Sequence, residues 1–146
     1  MEQNLELNQL AKDALREGAK WTFFLSILGF IGIGFMLVVA IFMTITFSAM
    51  PSELNGYGML GAMRGFMSLI YFLMAVIYFF PVYYLYKYST NLKTALQFNN
   101  SNLLADAFVN LKSHHKFLGI GIIIFISLYL LILVGLLFTV IGSSIF

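Results

Sequence analysis

The sequence predicts an all-α integral membrane protein with three transmembrane helices, an N-terminal amphipathic helix and a cytoplasmic amphipathic helical hairpin between spans two and three. Three observations lead there. Of 146 residues, 61% are hydrophobic and 10% charged, and the mean hydropathy is +0.93, whereas a soluble domain carries roughly a quarter charged residues. Three stretches, 21–47, 65–86 and 117–146, contain no charge, and each exceeds the ~18 residues that cross a ~30 Å hydrocarbon core at 1.5 Å per residue. Their apolar residues run continuously and do not alternate, which favours helices over barrel strands. We read residues 1–146 as a single membrane domain.

Residues 4–20 form the first expected element. Leu7, Leu10, Ala11, Ala14 and Leu15 recur at helical spacing, with Lys12, Asp13, Arg16, Glu17 and Lys20 off that stripe, the pattern of an amphipathic helix at a membrane surface or against other cytoplasmic helices. Asn4 is the expected N-cap. The apolar run 21–47 is longer than the about 7–15 residues of a secretory h-region and follows a mixed-charge segment, so it is expected to be a retained span. An outer loop, 48–64, leads into span two, 65–86, which Pro81 is expected to kink near its end.

The connector 87–116 reads as two helices. Leu92, Ala95 and Leu96 extend an apolar stripe to Phe98; Asn99, Asn100 and Ser101 make a turn with Ser101 as N-cap; Leu103, Leu104, Ala107, Phe108 and Leu111 then form a second apolar face. Span three follows over 117–146, a length that exceeds the core thickness and calls for tilt or a frayed end.

Seven of the 8 basic residues (Lys12, Arg16, Lys20, Lys87, Lys93, Lys112 and Lys116) flank the spans on one side, and only Arg64 falls on the other. Basic residues mark the cytoplasmic side, which places the N-terminus and the connector inside and the C-terminus in the periplasm. Lys12, Arg16, Lys20, Lys112 and Lys116 are the expected membrane-surface residues, in contact with lipid. Trp21, Tyr83, Tyr84, Tyr86 and Tyr88 are the aromatic residues expected at that interface.

Two runs in the connector, YKYSTNLKTAL (86–96) and LLADAFVNLKSHHKFLGI (103–120), resemble a family of small bacterial membrane proteins known only as a domain of unknown function. The resemblance covers about the last two-thirds of the chain and implies a bacterial inner-membrane location. It implies no activity and no site residues.

Chemistry-bearing residues are sparse. The spans lack the buried carboxylate that proton or sodium coupling would use. The net charge of +2 is small and dispersed, so no nucleic-acid partner is expected. There is no cysteine. The adjacent His114 and His115 point about 100° apart on a helix and do not form an i, i+4 chelating pair. Neither nucleotide-binding nor hydrolase fingerprints occur. The expectation is therefore no enzyme activity, no cofactor and no metal centre.

Two patterns remain. Gly61, Gly65 and Ser68, and further on Gly135, Thr139 and Gly142, are small residues that let helices approach closely. Methionines recur at Met36, Met43 and Met50 and at Met59, Met63 and Met67. Met63 and Met67 have the spacing found in three-span copper-uptake transporters, whose thioethers suit a soft ion, although those proteins have an outward N-terminus and a very short turn between spans two and three.

The expected function is a non-catalytic accessory or scaffold subunit of a bacterial inner-membrane complex. Gly61, Gly65, Ser68, Gly135 and Gly142 would pack helices, and Leu104, Phe108 and Leu111 would dock another membrane protein or a second copy. The alternatives are a homo-oligomeric channel or soft-metal carrier built on the Met rungs, and a lipid- or stress-responsive membrane adaptor.

Overall fold

The computed structural model describes residues 7–49 and 59–145, apart from the side chains of 59–65 and 143–145. It contains three helices: α1 (Gln9–Ser48), α2 (Met59–Phe98) and α3 (Ser101–Ile145). All three are long and apolar enough to cross a membrane. At 40, 40 and 45 residues, each is at least about 60 Å long, roughly twice the thickness of a hydrocarbon core. A segment of every helix therefore projects beyond its apolar run, and these segments share one end of the molecule, called here the basic end.

This continuity corrects the expected element boundaries. The amphipathic segment 4–20 and span one are not separate helices, because nothing between Glu17 and Phe24 breaks the backbone ladder and α1 runs through the boundary. Asn4 lies outside the described residues; the cap is Asn8, whose side-chain oxygen accepts the Ala11 N–H at 2.8 Å. α2 starts at Met59, six residues before the expected start of span two at 65, and continues through Pro81 to Phe98. The connector is thus the end of α2, the turn after Phe98 and the start of α3, each helix continuous with its apolar run.

The turn joining them is short and polar. Asn99 adopts a left-handed conformation with φ 49°, and the Asn100 N–H donates to the Ala95 carbonyl at 3.0 Å, the six-to-one bond of a Schellman C-cap. Asn100 also begins the next helix: its Oδ1 accepts from the N–H groups of Asn102 and Leu103 at 3.0 and 3.2 Å. The N-cap is therefore Asn100 and not Ser101, which is already inside α3. One side chain starts α3 while its own backbone N–H closes α2.

α2 is the central element, packed against α1 on one side and α3 on the other, and α1 and α3 do not approach each other closely through their backbones. The main buried cluster lies at the basic end. Ala19, Tyr88, Leu92 and Ala107 form its centre, with Leu15, Leu96, Leu104 and Leu111 around them. Leu92 and Ala107 are completely buried.

Toward the far end the α1–α2 contact follows small residues. Ala19, Ser26 and Ala40 are the buried positions of α1, and Ala75 and Ser89 are buried on α2. Both sets fall on a seven-residue repeat, which keeps one stripe facing a partner over many turns. Midway along, a Cβ built on Gly29 would lie 2.8 and 2.9 Å from the two γ-methyls of Val82. Valine is stiff at χ1 and cannot swing clear.

Two predictions follow from this packing. Gly29→Ala should destabilise the fold by about 1–3 kcal/mol through overpacking, and adding Val82→Ala should recover most of that loss in a denaturation series in detergent. Leu92→Ala should cost about 2–5 kcal/mol by opening a cavity in the basic-end cluster, read in the same assay.

Candidate functional site

Polar side chains inside or beside the apolar runs are costly unless satisfied. Among the described residues no buried side-chain nitrogen or oxygen lacks a partner. Most hydroxyls return to their own helix: Ser26 donates to Phe23 O at 2.7 Å and Ser89 to Tyr86 O at 2.8 Å. Among the described residues two polar contacts instead cross between helices, one on each side of α2.

The first joins α2 to α3 at the boundary between the apolar run and the basic end. His114 Nδ1 lies 2.7 Å from the Pro81 carbonyl oxygen. Because a carbonyl can only accept, the proton sits on Nδ1 and the imidazole donates. The bond fastens α3 to the one point of α2 where proline interrupts the backbone ladder. Next to it, the Phe80 and Phe117 rings pack at 6.1 Å. His115 makes only a local contact, its Nδ1 lying 2.9 Å from Leu111 O, while the two imidazoles meet edge-on at 5.5 Å. Sequence reasoning placed both histidines at the interface and missed the α2 partner, 33 residues away, which no local pattern reveals.

The second contact joins α1 to α2 toward the far end. Thr44 Oγ1 and Ser68 Oγ are 2.5 Å apart, and Thr44 donates at 2.8 Å to Ala40 O when it bonds within its own helix. Ser68 also lies 3.4 Å from Ala40 O. An apolar groove of about 760 Å³ opens beside this pair, walled by Leu37, Ile41, Phe47, Leu69 and Phe72.

At the level of Pro81 an aromatic ladder lines the α1–α2 interface. Phe23 and Phe30 meet Tyr86 at 5.7 and 5.9 Å, Phe30 meets Phe79 at 6.0 Å, and Phe79 stacks on Tyr83 at 5.8 Å. Lys87 Nζ sits 5.2 Å above the Tyr83 ring, a cation–π contact at the edge of the apolar run.

The other residues singled out in the sequence are distributed as follows. Leu104 and Leu111 pack into the basic-end cluster, and Phe108, though 45% exposed, meets Tyr88 at 6.5 Å. The expected docking face is thus largely consumed within the chain, because the helices that bear it fold back on each other. Lys12 sits in a groove with Leu7, Leu96, Asn99, Asn100 and Leu104, beside the C-terminal end of α2, where a cation complements the helix dipole. The unbroken axis of α1 carries it about 12 Å beyond Lys20, to the level of the α2–α3 turn. Arg16, Lys20, Lys112 and Lys116 are exposed, and Arg16 and Lys20 share a surface with Trp21 and Phe24.

On α3, a Cβ at Gly135 or Gly142 would meet nothing within 4 Å, so neither packs against another helix among the described residues. The side chains of Gly61, Met63, Arg64 and Gly65 lie outside the described residues, and Met67 is exposed. Among the described residues no group of three His, Cys, Asp or Glu side chains is positioned to hold a metal ion. The chain matches no family model, no curated protein and no solved structure.

His114→Ala should loosen α3 without unfolding the basic-end cluster. Spin labels on α2 near Ile77 and on α3 near Ile122 should show a broader distance distribution than in the wild type, with helix content unchanged. A distribution as narrow as the wild type would mean that the hydrogen bond does not hold α3.

Proposed function

We propose that the protein is a non-catalytic accessory or scaffold subunit of a bacterial inner-membrane complex, with the basic end in the cytoplasm and the far end of α3 in the periplasm. The observation that supports it best is the unequal packing of the three helices. α2 is engaged on both sides at the basic end, yet every described residue of α3 from Leu118 to Gly142 is exposed. The exposures of Phe125, Leu131 and Phe138 are 72, 68 and 73%.

The composition of that bare helix favours a protein neighbour. Gly135 and Gly142 share the seven-residue spacing of the α1–α2 seam, and both stand open. Helices in lipid associate through close packing at small residues, since lipid tails already satisfy apolar surface. A fatty-acyl environment has no use for a groove at those positions; a second helix does. The orientation rests on the seven basic residues at one end, and the bacterial location on the family resemblance of residues 86–120.

Two experiments test this reading. In mild-detergent extracts from the native membrane, mass spectrometry of the intact assembly should show a stoichiometric heterologous partner. Gly135→Leu with Gly142→Leu should remove that partner while leaving helix content unchanged. Retention of the partner by the double variant, or an assembly of this chain alone, would overturn the proposal. For orientation, the absence of cysteine allows single-site labelling: Ala49→Cys should react with a membrane-impermeant maleimide in intact cells, and Ser101→Cys only after permeabilisation.

A further inference from the structure

A small groove between α2 and α3, separate from the bare end of α3, lies at the level where the apolar runs meet the basic end. It has a volume of about 320 Å³ and is lined by Tyr84 of α2 and by Ser113, Lys116, Phe117 and Ile120 of α3. The α3 residues fall at i, i+3, i+4 and i+7, so they form one stripe along the helix. The stripe is ordered by polarity. Ser113 and Lys116 lie toward the basic end, and Phe117 and Ile120 toward the apolar run.

The polar part of the groove has donors without acceptors. No hydrogen-bond partner of the Tyr84 hydroxyl and no acidic partner of the Lys116 ammonium occurs among the described residues. Ser113 Oγ donates to Val109 O at 2.9 Å and adds little donor capacity of its own. The acids among the described residues are Asp13, Glu17 and Asp106, and none lines this groove. A phenol and an ammonium that line one groove beside an apolar wall are complementary to one kind of ligand: an anionic oxygen cluster carrying a hydrocarbon chain.

We propose that this groove is a binding site for an anionic phospholipid. The phosphate accepts from Lys116 Nζ and the Tyr84 hydroxyl, and an acyl chain descends along Phe117 and Ile120. Basic pockets between membrane helices on the cytoplasmic side hold lipid headgroups through this pairing of charge and depth. The bound lipid would bridge α2 and α3 next to the His114–Pro81 contact, on the side of α2 away from α1.

The test uses the full-length protein in a neutral detergent, titrated with phosphatidylglycerol and followed by native mass spectrometry. Lys116→Gln should weaken binding about fivefold, the effect of one lysine near a membrane surface, and Tyr84→Phe should weaken it further when combined. Lys93→Gln, which removes the same charge away from the groove, should change binding less than about twofold on that scale. Both groove substitutions are conservative or exposed, and an unchanged thermal transition confirms the fold. Equal losses from Lys93→Gln and Lys116→Gln would overturn the site, since general electrostatic attraction would then explain binding. Equal binding of phosphatidylcholine would overturn the role of net charge, and displacement of the lipid by equimolar glycerol phosphate would overturn the role of the acyl chain.

Discussion

How closely α1 can lie against α2 governs the rest of this architecture, and Gly29 opposite Val82 is a point where a single added methyl would block that approach. With no Cβ at 29, the valine methyls occupy the space a side chain would take. The small residues Ala19, Ser26 and Ala40 on α1, with Ala75 and Ser89 on α2, extend the same close approach in both directions. In a bilayer this matters more than hydrophobicity, because association there is driven by packing and interhelical hydrogen bonds and not by escape from water. The aromatic rings of Phe23, Phe30, Phe79 and Tyr86 interlock because the backbones have come near enough to let them.

The other half of the fold is held by different means. α3 reaches α2 through a two-residue turn in which Asn99 takes the left-handed conformation and Asn100 caps the new helix. That turn returns the chain directly along α2, so Leu104, Ala107 and Leu111 meet Leu92, Tyr88 and Leu96 in a shared cluster. Past His114 the apolar contact between α2 and α3 thins, and it ends in an apolar groove bounded by Ile77, Pro81, Leu118, Gly121 and Phe125. Beyond it α3 is bare. The outcome is a molecule anchored at one end, with its third helix free to present a face in the membrane.

This division of labour gives the two proposed contacts distinct places. A protein neighbour belongs at the open stripe of Gly135 and Gly142, where the environment is apolar and shape decides. A lipid headgroup belongs between Tyr84 and Lys116, where charge and hydrogen-bond donors decide. Gly135 lies about five turns along α3 from Lys116, so each can be tested without disturbing the other.

The class of the protein was legible from composition and run length, because a bilayer imposes its thickness on any helix that crosses it and that constraint is written as a count of apolar residues. The seven-residue repeat of Ala19, Ser26 and Ala40 was also present in the sequence, but small residues are so common in such helices that nothing marked those three as a seam. Tertiary structure alone decided the rest. Whether a helix stops at a polarity boundary is a matter of backbone continuity, and with no breaker near Lys20 and with α2 running on through Pro81 the expected surface helices became extensions of the spans. The fate of Leu104 and Leu111, taken as a docking face, depended on which side of α2 the Asn99–Asn100 turn would deliver them to. The contact of His114 with Pro81 and the groove shared by Tyr84 and Lys116 likewise came from folding α3 back along α2, since residues about thirty positions apart carry no local signature of each other.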